Sequence, residues 1–161
     1  MARPSPTLSR ILRAPVRLYD VGLGRLFGHR FLLLTHRGRR SGRSFRSMLE
    51  VMQWEPKSRE AIVMSGFGRR SNWFLNVRAG GAEEVRLGGQ RFRPTVRYLG
   101  PEEAVEILAD YERRNRFFAP VVRRVLTRLA GFRYDSSPQA RLRLVEQLPL
   151  VAFGDEAGIP P

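Results

Sequence analysis

The apolar positions change period along the chain, and the changes divide it into elements. Between Leu8 and Phe27, the apolar residues Leu8, Ile11, Leu12, Val16, Tyr19, Leu23 and Phe27 recur at helical spacings among Arg10, Arg13, Arg17 and Arg25. This predicts a basic amphipathic helix, interrupted near Pro15 and loosened at Gly22 and Gly24. Phe31 to Thr35 is a short apolar run of the kind a buried strand shows. Ser44 to Trp54 alternates instead, with Phe45, Ser47, Leu49 and Val51 on one side and Arg46, Met48, Glu50 and Met52 on the other. A third, short strand is predicted at Ala61 to Met64, and a short helix from about Asn72 to Ala79.

Glu83 to Leu87 and Gln90 to Leu99 flank Gly88-Gly89, which signals a tight hairpin. In its second arm Phe92, Val96 and Tyr98 alternate with Arg91, Arg93, Thr95 and Arg97, and Pro94 suits an edge or a bulge. Pro101-Glu102-Glu103 opens a helix that turns Val105, Leu108 and Tyr111 inward, since proline and acids both suit a first turn. A further helix is expected from Pro120 to Leu129, with Val121, Val122, Val125, Leu126 and Leu129 inward and Gly131 as its stop. Ser137-Pro138 caps a last helix carrying Leu142 and Val145, and Leu150 to Phe153 reads as a returning strand after Pro149. Mostly antiparallel strands followed by helices and one late strand predict an α+β domain built on a small barrel of about six strands. The expected organisation is an N-terminal helical segment over residues 1–28, a barrel domain over 29–154 and a tail over 155–161.

Composition narrows the chemistry. The chain of 161 residues has no cysteine, which removes disulfides, thiolate nucleophiles and thiolate metal sites. Its two histidines, His29 and His36, are too few for a histidine metal cluster, so no metal is expected. No apolar run approaches the ~18 residues of a membrane span. Arginines interrupt the N-terminus where a signal peptide would need an apolar stretch, and a cytoplasmic location is expected. The net charge of +14 calls for a polyanionic partner. The basic helix at residues 8–27 either packs on its own domain or lies on the inner face of an anionic membrane.

That charge concentrates at Thr35 to Arg43, Thr-His-Arg-Gly-Arg-Arg-Ser-Gly-Arg, directly after the first strand. Glycines let backbone N–H groups turn towards an anion, and arginine adds a planar fork that matches phosphate or carboxylate. The same residues could form a solvated basic loop or a nucleic-acid contact. A second glycine-containing turn, Ser65-Gly66-Phe67-Gly68-Arg69-Arg70, precedes Trp73 and Asn76. It could seat an anion or an electron-rich ring, or merely connect two elements while Trp73 packs inside.

Leu32 to Arg43 resembles the Thr-x-x-Gly-Arg-Lys-Ser-Gly signature of the deazaflavin-dependent nitroreductase and quinone reductase family. Met64 to Asn76 resembles that family's second segment, in which a glycine turn leads to Trp-Tyr-x-Asn-Leu. The resemblance runs over roughly residues 30 to 153 and includes the Gly88-Gly89 hairpin and Leu148-Pro149-Leu150-Val151. It implies a split β-barrel that binds coenzyme F-420, an 8-hydroxy-5-deazaflavin with a phosphate and a polyglutamate tail, with FMN as the alternative cofactor. Carried over by position, Leu33, Leu34 and Thr35 would line the cofactor, while Gly38, Arg39, Arg40, Ser41, Gly42 and Arg43 would hold its phosphate and tail. Ser65, Gly66, Phe67 and Gly68 would run along the ring or its side chain, and Trp73 and Asn76 would complete the pocket.

The implied function is hydride transfer from the reduced cofactor to an electron-poor small molecule: a quinone, a nitro compound or a conjugated double bond. A deazaflavin carrier without turnover and a nucleic-acid-binding module are the competing readings. The latter is disfavoured because only Phe45 interleaves an aromatic ring with the basic run. No catalytic acid is assigned. Tyr111 and Tyr134 are candidates for pocket residues or proton donors, and a homodimer is an expectation from related barrels.

Overall fold

The structure, a computed structural model, describes residues 28–158. The predicted helix at Leu8 to Phe27 lies outside the described residues, as does the end of the tail.

The apolar run after Arg30 forms β1 (Phe31–Arg37), in which Leu32, Leu33 and Leu34 have no exposed surface. β1 pairs antiparallel with β2 (Ser44–Glu55), Leu32 opposite Leu49 and Thr35 opposite Arg46. The alternation read for β2 is used on both faces. Val51, with Leu49 packed beside it, belongs to one apolar cluster, and Met52 to the other. A register shift between Val51 and Gln53 bends the strand, so its second half pairs with β3 (Glu60–Met64) instead. Then come α1 (Asn72–Arg78), β4 (Ala82–Leu87) and, across Gly88-Gly89 at φ +56° and +83°, β5 (Gln90–Phe92).

The arm expected as one strand from Gln90 to Leu99 is two. It breaks at Arg93, and β6 (Pro94–Tyr98) leaves β4 to pair with the final strand, β7 (Leu150–Asp155). Pro94 lacks the N–H that a continuing ladder needs. The sheet order is β5-β4-β1-β2-β3-β7-β6, antiparallel throughout. The corner at Arg93 brings β4 and β6 together, so the sheet curls into a nearly closed barrel.

Inside it lies one core, with Leu34, Val63, Trp73, Phe74, Val85 and Phe153. The second core lies between the barrel wall and three helices, α2 (Pro101–Arg114), α3 (Ala119–Ala130) and α4 (Pro138–Gln147). Ser137 caps α4 by accepting from the Ala140 N–H at 3.2 Å, and Gly131 ends α3 at φ +74°. Both follow from the sequence signals. Glu112 ties the layer together, accepting from Tyr134 Oη (2.6 Å), Ser136 Oγ (2.8 Å) and Arg141 Nε (2.7 Å).

The expected inward face of α3 is not the observed one. Val121 and Val125 are 60% and 51% exposed, and only Leu126 is fully buried. The apolar residues span well over a third of the helix circumference, and the helix rests on one edge of that arc, through Val122, Leu126 and Leu129. Leu142 on α4 is likewise exposed.

Candidate cofactor site

The basic turn is a closed structure. Gly38 N–H donates to Arg43 O (2.8 Å), and Gly42 N–H donates back to Gly38 O (2.8 Å). Gly42 adopts φ +66°, which glycine reaches at little cost. At Gly38 a β-carbon would stand 2.7 Å from the Phe45 ring and 2.8 Å from Ser41 Oγ, so any other residue would have to displace them. The turn is bound to α1 from below. Arg37 N–H donates to Gly81 O (2.7 Å), and Gly81 is itself pressed against Arg37 O.

Asn76 is the joint between these pieces. It is 4% exposed, and its Oδ1 accepts from both the backbone N–H (3.2 Å) and the guanidinium (2.9 Å) of Arg39. That fixes the amide orientation and leaves its NH2 to donate to His36 Nδ1 at 3.1 Å. His36 Nε2 must then carry the proton, which it donates to Ser47 Oγ at 3.0 Å. Burial pushes the His36 pKa below its ordinary value, against a smaller upward pull from Glu83, so the ring is neutral. Ser47 Oγ, already accepting, keeps its own hydrogen for a partner on its open side.

These residues enclose a cavity of about 350 Å3. Gly38, Arg39, Arg40 and Ser41 form one wall, and Phe45, Arg46 and Ser47 of β2 another. His36, Asn72, Trp73 and Asn76 close the bottom. No acidic side chain lines it. The nearest carboxylate on β4, Glu83, is occupied by Ser44 Oγ (2.6 Å) and Arg37 Nε (2.8 Å), and those hydrogen bonds hold it below the usual carboxylate range.

The site residues expected from sequence divide into three groups. Gly38, Arg39, Arg40, Ser41, Trp73 and Asn76 converge on this cavity, while Gly42 and Arg43 close its turn without lining it. Leu33 and Leu34 have no exposed surface, so their side chains cannot touch a ligand, and half-buried Thr35 is not part of the lining. Alternation sends Leu33 and Leu34 to opposite faces of β1, and both faces are covered at those positions. Gly66, Phe67 and Gly68 line a different hollow of about 510 Å3, shared with Arg69, Arg70, Arg128, Leu129 and the end of α4. Ser65 is fully buried, donating to Gly68 O (2.7 Å) and sharing a hydrogen bond with Ser71 Oγ (2.8 Å). Gly68 lies against Gln147 O, where a β-carbon would come within 3.0 Å. That contact with α4 holds the second turn away from the first.

Sequence reasoning missed His36, Phe45, Arg46, Ser47 and Asn72 as lining residues. The β2 alternation had put Phe45 and Ser47 on one face, and register pairs His36 with Phe45. Tyr111 and Tyr134 do not reach the cavity; their hydroxyls donate to Glu50 (2.9 Å) and Glu112 (2.6 Å).

The sequence profile of the F-420H(2)-dependent quinone reductase family matches residues 8–124. The chain belongs to that family. It is a deazaflavin-dependent oxidoreductase, and coenzyme F-420 is its cofactor. Among solved structures it is similar to an F-420-H2 dependent reductase, FDR-A, at 16% identity and TM-score 0.46, covering 78% of this chain and 95% of that one. A structure titled as a domain-swapped dimer shares 16% identity at TM-score 0.48, over 92% and 99% of the two chains. A protein of unknown function from Agrobacterium tumefaciens shares 14% at TM-score 0.48, over 89% and 58%. No curated protein sequence matches the chain.

The residues present fit such a cofactor. The cavity volume is within the range of small-molecule sites. Its donor set is cationic and unopposed by any lining carboxylate, and the absent β-carbon at Gly38 lets the Phe45 ring and Ser41 close against the turn. Among the described residues no group of metal-ligating side chains occurs. No described helix is long and apolar enough to cross a membrane.

Proposed function

We propose that the cavity between the Gly38 turn and α1 holds coenzyme F-420, and that the acceptor is a quinone. Arg39 and Arg40 would take the anionic phosphate end, and Phe45 and Trp73 would face the ring system. The observation that carries this reading is the double grip of Asn76 on Arg39, which fixes an arginine fork at the rim of an acid-free cavity floored by aromatic and neutral polar groups. Holding the fork in advance lowers the entropic cost of binding. Charge-assisted hydrogen bonds of this kind contribute about 1.5–3 kcal/mol each.

The bound cofactor, when reduced, supplies a hydride. The chain orients it and shields it from water. As the hydride arrives, negative charge grows on a quinone oxygen. Ser47 can meet that charge with its hydroxyl hydrogen, because His36 Nε2–H already occupies its oxygen.

The test is a fluorescence titration of F-420 into the wild type and into Arg39→Gln, Arg40→Gln and Arg70→Gln. Weakened binding in the first two and unchanged binding in the third supports the reading. Loss in Arg70→Gln alone would transfer the cofactor to the hollow at Gly66–Arg70.

A further inference from the structure

Between Glu112 and Asp135 the chain carries seven arginines and no acidic residue. The same stretch presents the largest group of exposed apolar side chains in the described protein. Phe117 is 81% exposed, Phe118 66%, Val121 60% and Val125 51%. Val121, Val125 and Leu129 follow one another at i, i+4 and i+8, so the stripe runs along one face of α3. It ends at the hollow that Leu129 lines beside Phe67, itself 66% exposed. Arg124 and Arg128 border the stripe at the same spacing. They are exposed and make no ion pair among the described residues. Arg116 stacks over the Phe117 ring at 5.0 Å.

We propose that this face, from Arg116 to Leu129, docks the protein on an anionic lipid surface. Exposed phenylalanine and valine give nothing to a polyphosphate backbone, so the arginines alone would not need them. A folded acidic protein would be expected to meet a rim of mixed charge, and here arginines predominate: Arg124 and Arg128 border the stripe, and Glu146 is the one acid at the hollow where it ends. Apolar side chains that can enter the acyl boundary, flanked by arginines that can meet lipid phosphates, match an interfacial helix. The docking does not depend on which cavity holds the cofactor.

The experiment is flotation of the full chain with phosphatidylcholine vesicles, with and without a large fraction of phosphatidylglycerol. The variants are Phe117→Ser, the pair Val121→Ser and Val125→Ser, and the pair Arg124→Gln and Arg128→Gln. The wild type is expected to float with the anionic vesicles and not with the neutral ones. Each apolar side chain removed should weaken partitioning about tenfold, and each arginine about fivefold. All these positions are exposed, so the melting temperatures should stay at the wild-type value.

Three results would overturn the proposal. One is a chain that never floats. Another is flotation that survives these changes and is lost only on substituting Leu8, Ile11 and Leu12. The third is a lowered melting temperature or altered sedimentation in the apolar variants, which would mean that a second copy or the chain's own N-terminal segment covers the face. F-420 titration of the same variants separates loss of docking from loss of the cofactor site.

Discussion

The side-chain amide of Asn76 donates to Nδ1 of His36 across 40 positions of sequence, and that contact decides which imidazole nitrogen carries the proton. Arg39 holds the other end of the same amide. An arginine at the cavity rim and a serine on its wall are therefore set by one buried asparagine. Asn76→Ala leaves the Arg39 N–H and His36 Nδ1 without their partner. It should lower stability by about 1–3 kcal/mol and weaken F-420 binding, read by denaturant melts and fluorescence titration. An unchanged affinity would show that the Arg39 fork needs no fixing.

His36 should make stability pH-dependent in a defined direction. Its pKa is lowered on folding, so the unfolded chain binds the proton more readily. The neutral ring's contribution is complete above the ordinary value of 6.5 and is lost as pH falls from there through the folded pKa. Melting temperatures from about pH 8 to about pH 5 should fall more steeply for the wild type than for His36→Gln. Parallel curves would mean that folding leaves the proton affinity of the imidazole unchanged.

Arg40→Lys and Arg40→Gln separate charge from shape. Lysine keeps the charge and loses the planar fork. We expect an intermediate affinity for lysine and a loss of about 10- to 150-fold for glutamine, the equivalent of one charge-assisted contact. Equal losses would mean that fork geometry, and not charge, holds the anion.

Gly38→Ala puts a methyl group 2.7 Å from the Phe45 ring, within the cavity wall. Overpacking of this kind costs about 1–3 kcal/mol, and the displaced ring should narrow the cavity. F-420 affinity should drop with stability. Gly100→Ala, where a β-carbon meets nothing within 4 Å, is the control and should leave affinity unchanged.

Tyr134→Phe should spare turnover. The hydroxyl's partner is Glu112, between the helices and away from the cavity. Removing it should cost about 1 kcal/mol of stability with kcat unaltered. A large fall in kcat would return Tyr134 to the list of proton donors.

The local code of this chain is strong where one residue type has one use. Gly131, Ser137 and Gly88-Gly89 end, cap and turn their elements where the sequence puts them, because left-handed backbone and an orphan helix N–H each have few solutions. The alternation of β2 and the apolar run of β1 gave the barrel strands, and the arginine-glycine turn forms one wall of the candidate cavity. Tertiary structure decided the rest. It turned Leu33 and Leu34 into the core and put Gly66–Gly68 around a second hollow, because a strand's inward face and a turn's neighbours are set by what packs against them. It also chose which edge of α3 would rest on the barrel, leaving Val121 and Val125 bare. Periodicity marks an apolar arc without saying how much of it the rest of the protein has surface to cover. The pairing of Asn76 with His36 and Arg39 belongs to the same class: no spacing along the chain encodes it, and only the closing of α1 against β1 brings the three together.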